Sequence, residues 1–65
     1  MRENRARLDM TQEQLANLVS VTRQTIISIE AGKYVPSALL AFKIARVFER
    51  PLEQIFELKE GNNHD

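Results

Sequence analysis

Between Thr11 and Lys33 the chain reads TQEQLANLVSVTRQTIISIEAGK. Two short amphipathic patterns stand there with only the break VSVT between them, and that spacing limits the fold more than any other feature. The first pattern starts at Thr11, an N-cap whose capping box is completed by Gln14, and runs to about Val19 with Leu15, Ala16 and Val19 on one face. The second is capped by Thr22, buries Ile26 and Ile29, and stops at Gly32, the residue type best suited to follow a helix end. A break this short cannot let two helices lie side by side. It suits a crossing near 90–120°, the geometry of a helix-turn-helix unit. Val21, apolar and in mid-turn, is expected to plug the corner.

The rest of the chain supplies the support. A first helix is expected from Arg2 to Leu8. Pro36-Ser37 marks a loop and another N-cap. A fourth helix then runs to about Phe48, with Ala38, Ala41, Ile44, Ala45 and Phe48 on its inner stripe and Leu39 and Leu40 left on the flank or outer side. Pro51 opens a short fifth helix holding Leu52, Ile55 and Phe56. The expectation is an all-α, five-helix domain over residues 1–58 and a disordered tail over 59–65. Within 56–60, FELKE is the one candidate for an extended end. Sixty-five residues make one small domain. A chain this short buries only about 60% of its unfolded surface. It has no Cys, so disulfides and thiolate metal sites cannot reinforce it. Self-association is the expected source of extra stability.

The second helix of the pair also shows an outward face. Gln24 and Ser28 stand one turn apart, Ile27 and Ala31 share their side, and Arg23 lies at the N-terminal edge. Such side chains can hydrogen-bond base edges, and a recognition helix presents such a face to the major groove of double-stranded DNA. Charge is divided unevenly. Residues 1–48 carry seven basic and four acidic side chains, a net +3, and residues 49–65 carry two basic and five acidic, a net −3. Charge alone leaves a polyanion partner and an ordinary solvated surface equally open.

Other chemistry finds no footing in the sequence. His64 is the lone His and falls in the tail, so no metal site is expected. No Gly-rich phosphate loop or nucleophile triad is present, and neither an enzyme nor a cofactor is expected. No apolar run approaches the ~20 residues of a membrane span. Met1 leads straight into a charged stretch, so no signal peptide is expected, and a cytoplasmic location follows.

TQEQLANLVSVTRQTIISIEAGKYVPS resembles the phage-repressor and Cro type of helix-turn-helix, the XRE-type transcriptional regulators, and LLAFKIARVFERPLEQIFE is similar to the remainder of that domain in its short members. The likeness runs from about Arg5 to Leu58, with TQEQLA, VTRQTI, IEAGK and FKIARVF in order and at the right spacing. It implies that Arg23, Gln24 and Ser28 read bases, and that Gln12 contacts phosphate while bracing the recognition helix. It implies that Thr22 and Thr25 lie near the backbone or groove wall, and that Lys33 and Tyr34 touch phosphates. It pairs Arg5 with Glu30 in a largely buried salt bridge between the first and third helices. Three departures stand out. Ser20 replaces the usual turn Gly, and a non-Gly residue at positive φ costs roughly 1 kcal/mol. Ile27 replaces a commonly polar residue; contact with a thymine methyl and simple exposure both remain open. Met1 falls inside the family's first helical turn, so strand pairing with FELKE is not expected.

Two function classes remain. One is a sequence-specific regulator, a repressor, that binds a palindromic operator as a homodimer. The other is an antitoxin-like or adaptor module whose chief partner is a protein. A dimer is expected through the C-terminal half, where Val35, Leu39, Pro51 and Leu52 lie away from the inner stripe.

Overall fold

The computed structural model describes residues 1–56. Four α-helices follow one another: α1 (Arg2–Arg7), α2 (Gln12–Leu18), α3 (Arg23–Glu30) and α4 (Ala38–Phe48). A single 3-10 turn, Leu52–Gln54, comes after them. The fifth helix expected after Pro51 is therefore only this one turn. Pro51 sets the entry with φ −63°, and Ile55, just after the turn, is buried in the core. A helix nucleus fixes several residues per hydrogen bond gained. With its anchor reached so soon, the segment settles for the tighter turn. The expected tail over 59–65, and all of FELKE after Phe56, lie outside the described residues.

Helix starts follow local chemistry. Both bonds of the α2 capping box form: the Gln14 amide donates to Thr11 Oγ1 at 3.0 Å and the Thr11 amide to Gln14 Oε1 at 2.8 Å. Thr22 caps α3 by accepting from the Thr25 amide at 3.3 Å, and Ser37 caps α4 by accepting from Leu40 at 3.2 Å. Each cap satisfies a donor that the helix itself cannot.

Helix ends share one device. Each α-helix runs into a residue of positive φ: Asp9 (56°), Ser20 (64°), Gly32 (75°) and Glu49 (56°). Paired backbone bonds lock each reversal, as where Val21 N–H reaches Ala16 O at 3.0 Å and Ser20 N–H reaches Asn17 O at 3.4 Å. This is the Schellman closure. It reverses the chain within two or three residues, which is why the α2–α3 connection can be so short. Only Gly32 takes the conformation without a steric penalty.

The buried set is Leu15, Ala16 and Val19 from α2, Ile26 and Ile29 from α3, Leu40, Ala41, Ile44 and Phe48 from α4, and Ile55. Val21 packs against this core from the turn. The α4 stripe differs from the expected one. Leu40 is buried and Ala38 is exposed. Leu40, Ile44 and Phe48 form an i, i+4, i+8 row, which drifts by about 40° per step on a helix of 3.6 residues per turn. At the first turn that drift brings in Leu40, whose burial removes far more apolar surface from water than Ala38 would. Leu39 remains 66% exposed. Among the described residues, no helix is long and apolar enough to cross a membrane.

Candidate nucleic-acid interface

The buried side of α3 is fixed by Ile26 and Ile29, so the positions between them face out. Arg23 and Gln24 are exposed at its N-terminal end; Thr25, Ile27 and Ser28 are half-buried along it. Thr22, Gln24, Thr25, Ser28, Lys33 and Tyr34 line one open hollow of about 280 Å³ on this side. Amide, hydroxyl, ammonium and phenol groups thus converge between the start of α3 and the loop that follows it. Arg23 and Ile27 lie outside that lining. The Thr22 and Thr25 hydroxyls are 3.1 Å apart and hydrogen-bonded to each other, which holds both side chains at the helix start.

Glu30, at the other end of α3, is turned inward. Its side chain is only 1% exposed. Arg5 grips it with two nitrogens, Nε to Oε2 at 2.6 Å and Nη2 to Oε1 at 3.0 Å. Gln12 Nε2 donates to Oε1 at 3.0 Å, and Arg2 Nε stands 3.7 Å away. Arg5 also donates from Nη1 to the Met10 carbonyl at 3.0 Å, so one guanidinium ties α1, the α1–α2 turn and α3 together. Burial pushes the Glu30 carboxyl pKa up. The hydrogen bonds from Arg5 and Gln12, with the attraction of Arg5 and Arg2, outweigh that and hold it below the usual carboxylate range. The hydrogen bond to Glu30 likewise pushes Arg5 up. Gln12 spends one amide N–H on Glu30; a second N–H and the amide carbonyl remain to it.

Glu30 is the one acidic residue in α3. With its charge met inside, the outward face keeps Arg23, and Lys33 beyond it, without an opposing carboxylate on the helix. Such a surface suits a polyanion. Among the described residues, no three His, Cys, Asp or Glu side chains group in a way that could hold a metal ion. His64 lies outside those residues.

Pro51 is exposed, Leu52 is half-buried, and Val35 is 87% exposed in the loop before α4. Sequence reasoning overlooked two residues. Phe42, one turn beyond Leu39, is 58% exposed and joins Ala45, Arg46, Glu49, Arg50 and Pro51 around a shallow surface hollow. Helical spacing from Leu39 pointed to it. Arg7 donates to the Phe48 carbonyl at 2.6 Å, a contact across 41 residues that no local pattern announces.

Known proteins share this arrangement in sequence. A helix-turn-helix family model matches residues 1–55. An uncharacterized HTH-type transcriptional regulator of Archaeoglobus fulgidus is 53% identical over 60 residues, covering 92% of this chain and 84% of the relative. YgzD of Bacillus subtilis, also an uncharacterized HTH-type transcriptional regulator, is 50% identical over 62 residues, covering 95% of this chain and 94% of its own. A third, from Methanocaldococcus jannaschii, is 58% identical over 52 residues, with 80% of this chain and 79% of the relative covered. With its capped, tightly turned α2–α3 pair and a family match over most of its length, the chain belongs to the Cro/C1-type (XRE-type) helix-turn-helix family and is a transcriptional regulator with a helix-turn-helix DNA-binding domain.

Proposed function

We propose that this protein is a cytoplasmic repressor that binds a palindromic operator as a homodimer. The observation that carries the reading is the outward side of α3. Its Gln24 and Ser28 share one hollow with Thr22, Thr25, Lys33 and Tyr34, while its only carboxylate is held inside by Arg5. In this reading Arg23, Gln24 and Ser28 hydrogen-bond base edges in the major groove. Ile27 lies against a thymine methyl. Thr22, Thr25, Lys33, Tyr34 and the free part of the Gln12 amide meet phosphates, which set register rather than sequence. Repression asks only that the bound protein occupy its site.

The dimer reading rests on a separate set of residues. Leu39 and Phe42, one turn apart on α4, are exposed apolar residues, Val35 is exposed in the loop before that helix, and the hollow beside Phe42 reaches Pro51, next to Leu52. One exposed apolar residue needs no explanation, whereas several close together in one half of the chain do. A single recognition helix reads only a few base pairs. A two-fold pair reads two half-sites about one DNA turn, about 34 Å, apart.

The test is selection of bound sequences by the full chain from a random double-stranded DNA pool. The expected product is an inverted repeat with half-site centres about 10–10.5 base pairs apart, or a multiple of that. No enrichment would sink the DNA reading, and a single unrepeated motif would sink the dimer.

A further inference from the structure

We propose that Arg7 is a positioning residue for operator recognition: together with Arg5 it makes α1 a strut that fixes the DNA-reading helix α3 against the α4 face. The proposal rests on the dimeric reading above. Helix α1 buries none of its own six residues; Met1 and Met10, which flank it, pack against the core, and the ties made from within the helix are polar. Two arginines make those ties. Arg5 and Arg7 are two positions apart, about 200° around a helix of 3.6 residues per turn, and so leave α1 on opposite sides. Arg5 holds the α3 carboxylate of Glu30 at 2.6 and 3.0 Å. Arg7 Nη2 holds the carbonyl of Phe48, the last residue of α4, at 2.6 Å. That carbonyl is among the four at a helix C-terminus that lack an intrahelical partner, and it sits at the negative end of the α4 dipole. A cation there answers both needs. The next carbonyl, Glu49 O, is met from within its own loop by Arg50 at 3.1 Å, so the tie from Arg7 alone reaches across from another helix.

The consequence is a matter of leverage. The α4 face carries Leu39 and Phe42, so the angle between α3 and α4 sets the distance between the two recognition helices of a dimer. A rotation of about 5° over a lever of about 17 Å, half the spacing of two major-groove half-sites, moves each helix by about 1.5 Å and the pair by about 3 Å. That is close to the 3.4 Å rise of one base pair. Loosening α4 from α1 should therefore blur the reading of half-site spacing before it weakens the reading of a half-site itself.

The experiment compares the full-length wild type with Arg7→Met and Arg7→Lys, by fluorescence anisotropy on DNA carrying the selected motif. The probes are one half-site, the selected full site, and full sites with one base pair added or removed. The expected result is an Arg7→Met half-site affinity within about twofold of wild type. Its discrimination between the selected and altered spacings should fall about fivefold or more, the low end of coupling between two sites. Arg7→Lys, which keeps a charged donor but not the fork, should fall between. Arg7→Met with undiminished spacing discrimination overturns the strut, and so does a loss of half-site affinity that matches the loss of discrimination. If Arg7→Met does not fold, Arg7→Lys is read by the same comparison, and wild-type discrimination in it overturns the proposal. A wild type that ignores spacing sinks the dimeric reading and the strut with it; that failure shows in the wild type, whereas failure of the strut alone shows only in the variants.

Discussion

Replacing Glu30 by Gln should cost this domain a large part of its stability. The carboxylate accepts three hydrogen bonds within 3.0 Å, two from Arg5 and one from Gln12, and its side chain is almost sealed from water. Hydrogen bonds to a charged group contribute about 1.5–3 kcal/mol each, and neutral ones about 1. Gln keeps the shape and can still accept one or two of the three, but it leaves Arg5 without a counter-charge. Removing one partner of a fully buried pair costs about 3–5 kcal/mol. Arg5 is 16% exposed in its side chain and so remains partly hydrated, which brings the expectation down to about 2–4 kcal/mol. A domain of this size has roughly 3–10 kcal/mol in all. At about 4–8 °C per kcal/mol, the thermal midpoint should fall by about 10 °C or more. Circular dichroism melts and urea titrations at neutral pH measure it. Acid gives a second reading. The folded-state pKa of Glu30 is depressed, so its contribution is present above the unfolded value of about 4.3 and is lost as pH falls through the folded value. The gap between wild type and Glu30→Gln should therefore be full above about pH 5 and shrink below about pH 4. A gap under about 1 kcal/mol at neutral pH would mean the pair behaves as a surface salt bridge. A gap that persisted unchanged into acid would show that the charge of Glu30 is not its source.

Ser20→Gly should stabilise the domain by about 0.5–1 kcal/mol in the same melts, because relief of the positive-φ penalty exceeds the added unfolded-state entropy of Gly. Gly32→Ala should destabilise it by about 1 kcal/mol, a purely conformational effect, since a Cβ there meets nothing within 4 Å. Gln24→Ala should cost about 1–3 kcal/mol of operator affinity and relax preference at one base pair, whereas Lys33→Ala should weaken binding to all sequences and reduce the salt slope by about one; titrations on specific and scrambled DNA separate the two. Phe42→Glu should yield monomers at micromolar concentration by sedimentation while leaving half-site binding intact, and a variant that stays dimeric would move the interface elsewhere.

The parts of this molecule that a reader of the sequence can find are those governed by neighbours in the chain. The Thr11/Gln14 capping box, the Thr22 and Ser37 caps and the Gly32 stop each involve groups within five residues of one another. The inward Ile26 and Ile29 follow from helical period alone. Choices made by the assembled core were less accessible. Leu39 and Leu40 are adjacent and chemically identical, and only the packing direction of α4 against the rest of the core selects Leu40 for burial. The end of the chain after Pro51 depends on where Ile55 finds its pocket, so a helical-looking segment closes as one 3-10 turn. Arg7 reads as one more surface cation until the C-terminus of α4 arrives beside it.

The candidate site joins these two levels at Glu30. Facing solvent at the end of α3, its carboxylate would repel the phosphates that the helix must approach. Its removal would leave Arg5 unmatched and the α1–α3 angle free. Turned inward, one charge removes the repulsion and supplies the tie, and Gln12, at the start of α2, adds a third helix to the same carboxylate oxygen. The two helices of the motif are thus linked by a buried ion at one end and by the Val19–Val21 corner at the other. That double hold accounts for how a helix of only eight residues keeps its outward face set in a domain with so small a core. Under the proposed reading, a helix backbone held at both ends would leave chiefly the exposed side chains of Arg23 and Gln24 to be ordered on meeting DNA.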